Sequence, residues 1–146
     1  MKYKLTSETK VVDNVTLYRI QALKAIPKIG VAIGDLGGWI EKEANLSQLG
    51  SAWVAGDARV YGDAQVYGDA RVHDNAWVYD NAWVYGNARV AGNARVSDSA
   101  HVYGDAEVYG DAWVDGDAGV HGYARVAGRA RVSDSAHVYG DAQVAR

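Results

Sequence analysis

Three of the four histidines in the chain are His101, His121 and His137, and Gly119 lies midway between the outer two. Imidazoles spaced like this suit metal ligation, proton transfer or hydrogen bonding to a ligand, if the fold brings them together. Tyr103 and Tyr139 each follow a histidine by two residues and add phenol groups to the same stretches. A second set joins aromatic and cationic residues: Trp77, Arg95 and Trp113 recur every eighteen positions, between Arg59 and Arg131 at the same interval. An indole against a guanidinium gains ~0.5–2 kcal/mol of cation–π attraction. Left open, the same pair makes a surface for an anionic or aromatic ligand. Both sets work only on a backbone that makes residues eighteen apart into neighbours.

The chain carries the signature of such a backbone. Ala recurs at every sixth position from Ala52 to Ala142, and Val two places later from Val54 to Val144, without exception. The unit reads A-x-V-y followed by Gly-Asp, Asp-Asn or Asp-Ser. Residues two apart on a strand share a face, so Ala and Val point one way and x and y the other. The dipeptide between units tolerates positive φ and turns the chain. A six-residue period cannot hold one face of a helix. Each unit is therefore a short strand and a corner. A side of six residues spans roughly 18–20 Å, so a triangle has an inner radius near ~5 Å, which Ala and Val can fill, whereas a square would be hollow. Three sides give coils of eighteen residues, stacked ~4.8 Å apart as parallel sheets.

Tandem V-x-x-x-A-x units over about residues 38–146 resemble the hexapeptide-repeat proteins. The resemblance implies a left-handed parallel β-helix; the spacing itself is silent on handedness. The segments "LYRIQALK" and "GDLGGWIEKEANLS" and the "YGDARV" units also resemble a set of uncharacterised bacterial and prophage proteins. Many hexapeptide-repeat proteins are trimeric acyltransferases, and others are metal-dependent hydratases with histidines from adjacent subunits. The acyltransferases build their site from a loop that leaves the coils or from a terminal helix. Here the sole break is a corner two residues longer than usual at Gln48-Leu49-Gly50-Ser51.

The predicted fold is an all-β triangular left-handed parallel β-helix of about six coils of eighteen residues, with a small N-terminal β-hairpin cap. Residues 1–37 form the cap and connector, and residues 38–146 the helix. "TKVVDNVTLYRIQAL" reads as a hairpin turning at Asp13-Asn14, with Leu17, Ile20, Leu23 and Ile33 as apolar contacts of the cap. The first coil starts at Gly38-Trp39-Ile40-Glu41, with Gly in place of Ala, and continues through Ala44-Asn45-Leu46-Ser47. The last coil, ending at Arg146, is expected to expose strand edges, which invites docking on a second copy unless Arg146 and solvent blunt it.

Eighteen-residue coils sort the outward positions into columns. The first face carries Trp39, Arg59, Trp77, Arg95, Trp113 and Arg131 at x. A stabilising ladder is the favoured reading, and a ligand surface or subunit interface the alternative. The second face carries Gln65, Trp83, His101, Gly119 and His137 at x, and Tyr67, Tyr85, Tyr103, His121 and Tyr139 at y. Gly119 leaves a notch between His101 and His137, with His121, Tyr103 and Tyr139 beside it. That is the most ligand-like spot, although residues 89–107 recur nearly unchanged at 125–143, so the two histidines also read as copies. Two coils separate them by about 9–10 Å, too far to share one metal ion. The third face carries Trp53, Arg71, Arg89, Glu107, Arg125 and Gln143 at x, with Ala55, Ala91, Ala127 and Ala145 forming a strip at y that would let another subunit approach.

Composition narrows the function. A net charge of −3 favours neither nucleic-acid binding nor nucleic-acid mimicry. The lack of cysteine excludes disulfides and thiolate chemistry without fixing the compartment; with no apolar run of membrane length and no apolar leader segment, a cytoplasmic protein is expected, with no membrane partner and no cofactor. No Ser/His/Asp arrangement stands out. The repeats lack Thr, against ice binding, and lack the Gly-rich nonapeptide of calcium β-rolls. The favoured reading is a non-enzymatic binding protein, a homo-oligomer that engages a small anionic or aromatic ligand or a host protein. Candidate ligand-binding residues are His101, His121, His137, Tyr103, Tyr139, Trp77, Arg95 and Trp113, with no catalytic or metal residues assigned. The alternatives are a purely structural self-associating rod and an acyltransferase-like enzyme.

Overall fold

Small side chains at every second position dictate the interior. Ala52 through Ala130 and Val54 through Val132 are buried at every repeat. Between them the x residue and the Val form a short strand, as at Trp77–Val78 or His101–Val102. In this computed structural model, which describes residues 1–145, the strands line up as three parallel sheets around one core, in about six turns. Each coil bonds to the next through the backbone: the Trp77 N–H donates to the Ala94 carbonyl at 2.9 Å and the Tyr79 N–H to the Val96 carbonyl at 3.0 Å. The corners join in, with the Asn87 N–H donating to the Gly104 carbonyl at 2.7 Å.

One corner residue per side adopts the left-handed conformation, where a side chain is costly. Gly104 has φ of 68°, and a Cβ there would stand 3.0 Å from the Gly122 nitrogen. Asp occupies some of these positions and offsets the strain through its carboxylate. The Asp74 Oδ2 accepts the Gly92 N–H at 3.1 Å, and the Asp98 Oδ2 accepts the Gly116 N–H at 2.9 Å. The Asn next to Asp in the stacked corners also bonds: Asn93 Nδ2 donates to Asp111 Oδ1 at 3.1 Å.

Strand β1 (Tyr3–Val12) and strand β2 (Val15–Ala22) form an antiparallel hairpin. It turns at Asp13 and Asn14, both with positive φ. β2 lies antiparallel to β3 (Leu36–Ile40), and β3 runs parallel to Arg59–Val60, so the hairpin extends the first sheet to eight strands. Leu17 and Ile20 are buried as expected. Leu23 and Ile33 are not cap contacts: they are 39% and 71% exposed, because one lies past the end of β2 and the other in the open connector. Tyr3, Ala22 and Ile26 seal the core instead. Gly37 and Gly38 are required where the hairpin crosses the first coil, since a Cβ at Gly38 would stand 2.7 Å from Val54 Cγ1.

The first coil departs from the repeat at one side. Ala44 is exposed in a 3-10 turn over Glu43–Asn45, and Asn45 turns inward. Its Oδ1 accepts the Glu41 and Lys42 N–H groups at 3.1 and 2.9 Å, while its Nδ2 donates to the Gly62 and Ala64 carbonyls at 3.1 and 2.9 Å. Four hydrogen bonds make a buried amide tolerable where Ala would leave backbone groups unsatisfied. The long corner that follows makes Leu46 pair with Val66, twenty residues on. Its Gln48 acts as a piece of strand edge: Oε1 accepts the Lys2 and Tyr3 N–H groups at 2.7 and 3.1 Å, and Nε2 donates to the Tyr3 carbonyl at 3.2 Å. At the far end Ala136 and Ala142 are exposed and Val138 and Val144 half-buried; Arg146 lies outside the described residues.

Two predictions follow the corner and cap chemistry. Gly104→Ala destabilises by about 1–2 kcal/mol from the left-handed backbone alone, and more from the contact with Gly122; urea denaturation measures it. Lys2 is buried, with Nζ donating to the Ala52 carbonyl at 2.6 Å, and burial lowers its pKa to about 8. The folded chain therefore sheds this proton before the unfolded chain does, and the Lys2 contribution to stability rises with pH between about 8 and 10.5. Thermal denaturation across that window should show the rising component in the parent and its loss in Lys2→Met.

Candidate functional site

The eight candidate residues fall on two surfaces, not one. Trp77, Arg95 and Trp113 stand on the first sheet; His101, Tyr103, His121, His137 and Tyr139 stand on the second. The corner between the sheets keeps the two sets apart.

On the first sheet each x residue pairs with the one a coil away: Trp39 with Arg59, Arg59 with Trp77, Trp77 with Arg95, Arg95 with Trp113, and Trp113 with Arg131. The Arg95 guanidinium lies 4.6 Å from the Trp77 ring centre and 4.9 Å from that of Trp113, so it is held between two indoles. Arg59 covers the other face of Trp77 at 4.8 Å. The hairpin takes over at Trp39, where Lys10 Nζ and the Arg19 guanidinium sit 4.2 and 5.0 Å from the ring. At the opposite end Arg131 bonds Asp115 through Nη2 at 2.6 Å. The cations of this column thus have partners within the chain, as a stabilising ladder requires.

The second face is built of rings without formal charge partners. Tyr67, Tyr85, Tyr103 and His121 stack face to face at 4.9, 4.9 and 4.8 Å, and Tyr139 follows His121 at 5.6 Å. The spacing is that of the backbone rungs, so the sheet sets it. Burial raises the Tyr67 and Tyr85 phenol pKa values, with their neighbours in the stack adding to the shift at Tyr85. These phenols therefore stay protonated and able to donate at neutral pH. In the x column His101 leans toward Trp83, with centroids 4.9 Å apart. His137 leans over Gly119: a Cβ at 119 would stand 2.8 Å from its Nδ1. The glycine thus seats the lower imidazole, which also meets His121 edge-on at 6.2 Å. A groove of about 380 Å³ remains, lined by Tyr85, His101, Tyr103, Asp117, Gly119 and His137. Among the described residues no three His, Asp or Glu side chains converge as a metal site needs. Trp83 is part of this surface, 37% exposed, and its place in the x column beside His101 was the signal for it.

The YdcK beta solenoid repeat family model matches residues 64–80, 82–98 and 88–104, so these repeats are similar to that solenoid. No curated protein matches the chain. No helix of the described residues is long and apolar enough to cross a membrane.

If the Trp/Arg column works as a ladder, the pair Trp77 and Arg95 should couple. A double-mutant cycle with Trp77→Ala and Arg95→Ala, followed by chemical denaturation, should return a coupling of about 0.5–1 kcal/mol; a value indistinguishable from zero would remove the ladder from the stability account.

Proposed function

We propose that the chain is a non-enzymatic binding scaffold, a rigid β-solenoid that offers the Tyr/His face to a small ligand or a partner protein. The observation that carries this reading is the stack of five rings from Tyr67 to Tyr139, two of which, Tyr85 and Tyr103, line an open groove with His101 and His137. Rings locked by their neighbours lose little further entropy on binding, which favours recognition by a preformed surface. Flat groups such as nucleobases and sugar rings suit a wall of ring edges and phenol donors. The resemblance of the YGDARV units to prophage proteins makes capture of a host factor, or sequestration of a small signal, the role such binding would serve. Self-association of the rod would multiply the sites and strengthen weak contacts.

A thermal-shift panel of nucleotides, oligosaccharides and acyl-CoA tests the proposal. Ligand at a hundredfold over its Kd adds about 2.7 kcal/mol, or roughly 5–10 °C in a domain of this size. The expected result is a shift by a nucleotide or oligosaccharide that His101→Ala and Tyr103→Ala both abolish. A shift by acyl-CoA would favour the acyltransferase-like reading instead. Silence throughout the panel, with a defined oligomer by light scattering, would favour the purely structural one.

A further inference from the structure

The y column of the third face is mostly Ala, and its two rings, His73 and Tyr109, stand on either side of Ala91. In the second face the y column carries a ring on five successive coils from Tyr67 to Tyr139, and neighbouring rings stand 4.8 to 5.6 Å apart. In the third face the sequence of y residues is His73, Ala91, Tyr109, so a ring is missing on the middle rung. His73 and Tyr109 are two coils apart, about 9.5 Å. The groove between them holds about 340 Å³ and is lined by His73, Arg89, Ala91, Glu107, Tyr109 and Arg125. A flat aromatic ring resting on the Ala91 methyl would lie ~4.8 Å from each wall, the separation at which rings in this chain already stack.

The charges beside the gap are also unbalanced. Arg89 stands on the same rung as Ala91, two residues away and about 6.6 Å along the strand. Its register partner on the coil before is Arg71. Like charges directly opposite each other on neighbouring strands are destabilising. The other arginines of the coils avoid this arrangement: indoles separate those of the first face, and Glu107 separates Arg89 from Arg125 while bonding Arg125 at 3.2 Å. Arg71 and Arg89 are the two arginines that stack with nothing between them, and among the described residues neither makes a salt bridge or a side-chain hydrogen bond, since Glu107, which neighbours Arg89 on the next coil, bonds Arg125 instead. An anion placed over the pair would relieve the repulsion and gain charge-assisted hydrogen bonds.

We propose that this face holds a slot for a planar aromatic ligand bearing an anionic group, with the ring between His73 and Tyr109 over Ala91 and the anion on Arg89 and Arg71. A carboxylate or phosphate joined to the ring by a short linker spans the distance. The site is separate from the Tyr/His face and does not depend on it.

Protein-observed NMR with four probes tests the slot. Adenosine 5′-monophosphate and indole-3-acetate carry both elements, adenosine lacks the anion, and inorganic phosphate lacks the ring. The expected result is that one of the first two shifts the His73 and Tyr109 resonances and binds at least about tenfold more tightly than adenosine or phosphate; which of the two binds tells phosphate from carboxylate. Arg89→Gln should weaken that binding about tenfold. Ala91→Tyr should abolish it while raising Tm, because the new ring completes the stack between His73 and Tyr109. His101→Ala should leave it unchanged, which separates this site from the second face. The slot is overturned if no probe moves those resonances at millimolar concentration, or if Ala91→Tyr binds as tightly as the parent.

Discussion

Backbone pairing between coils at a fixed offset of eighteen residues is the constraint on which every side-chain column depends. The hydrogen bonds themselves carry no register, since any coil can donate to any other. Register comes from the core: a slip of one residue would turn the x and y side chains inward, burying Arg and Trp where only Ala and Val fit. The left-handed corners add a second lock. Each must sit over another corner, and the Asp74 and Asp98 carboxylates reach the next corner's N–H groups to hold it there. With the register fixed twice, the outward residues have no choice of neighbour.

That lack of choice creates the problem each face must solve, because a stack at rung spacing places identical side chains in contact. The first face alternates cation and indole, so that Arg95 meets Trp77 and Trp113 rather than another arginine. The second face uses neutral rings, for which like-on-like stacking is favourable. The third face inserts Glu107 between Arg89 and Arg125 and leaves Arg71 against Arg89. Two faces are thus settled within the chain and the third is not. A fold does not by itself assign a function, and unsettled positions are where a ligand would have something to gain.

The architecture was legible in the sequence because a strict period leaves few alternatives. The pairing of Trp77 with Arg59 and Arg95, the hairpin turn at Asp13-Asn14 and the twenty-residue offset across the long corner all follow from counting. What counting misses lies where the period fails. Asn45 turns inward to bond the backbone of the corner before it and of the corner stacked on that one, and nothing in Ala44-Asn45-Leu46 announces the change. Gln48 and Lys2 form the seam between hairpin and coil through contacts more than forty residues apart in sequence. Leu23 and Ile33 look like core residues by type and are exposed by position. On the candidate site, the columns were readable but the lean of a side chain was not: His137 over Gly119 and His101 toward Trp83 are choices of rotamer that residue type leaves open.

A ligand of a scaffold this regular would be selected by pitch. No described segment forms a lid over the sheets, and the corners are bonded coil to coil, so closure around a ligand contributes nothing to affinity. Recognition has to come from groups already in place at multiples of ~4.8 Å. A continuous ring stack then offers only edges, since the faces of its members are taken by one another. Two rings separated by one small residue, as His73 and Tyr109 are by Ala91, offer two faces at once. By this argument a ligand of the Tyr/His wall would meet ring edges and phenol donors, whereas a ligand of the gap at Ala91 would meet two ring faces, and the two proposed sites lie on different sheets.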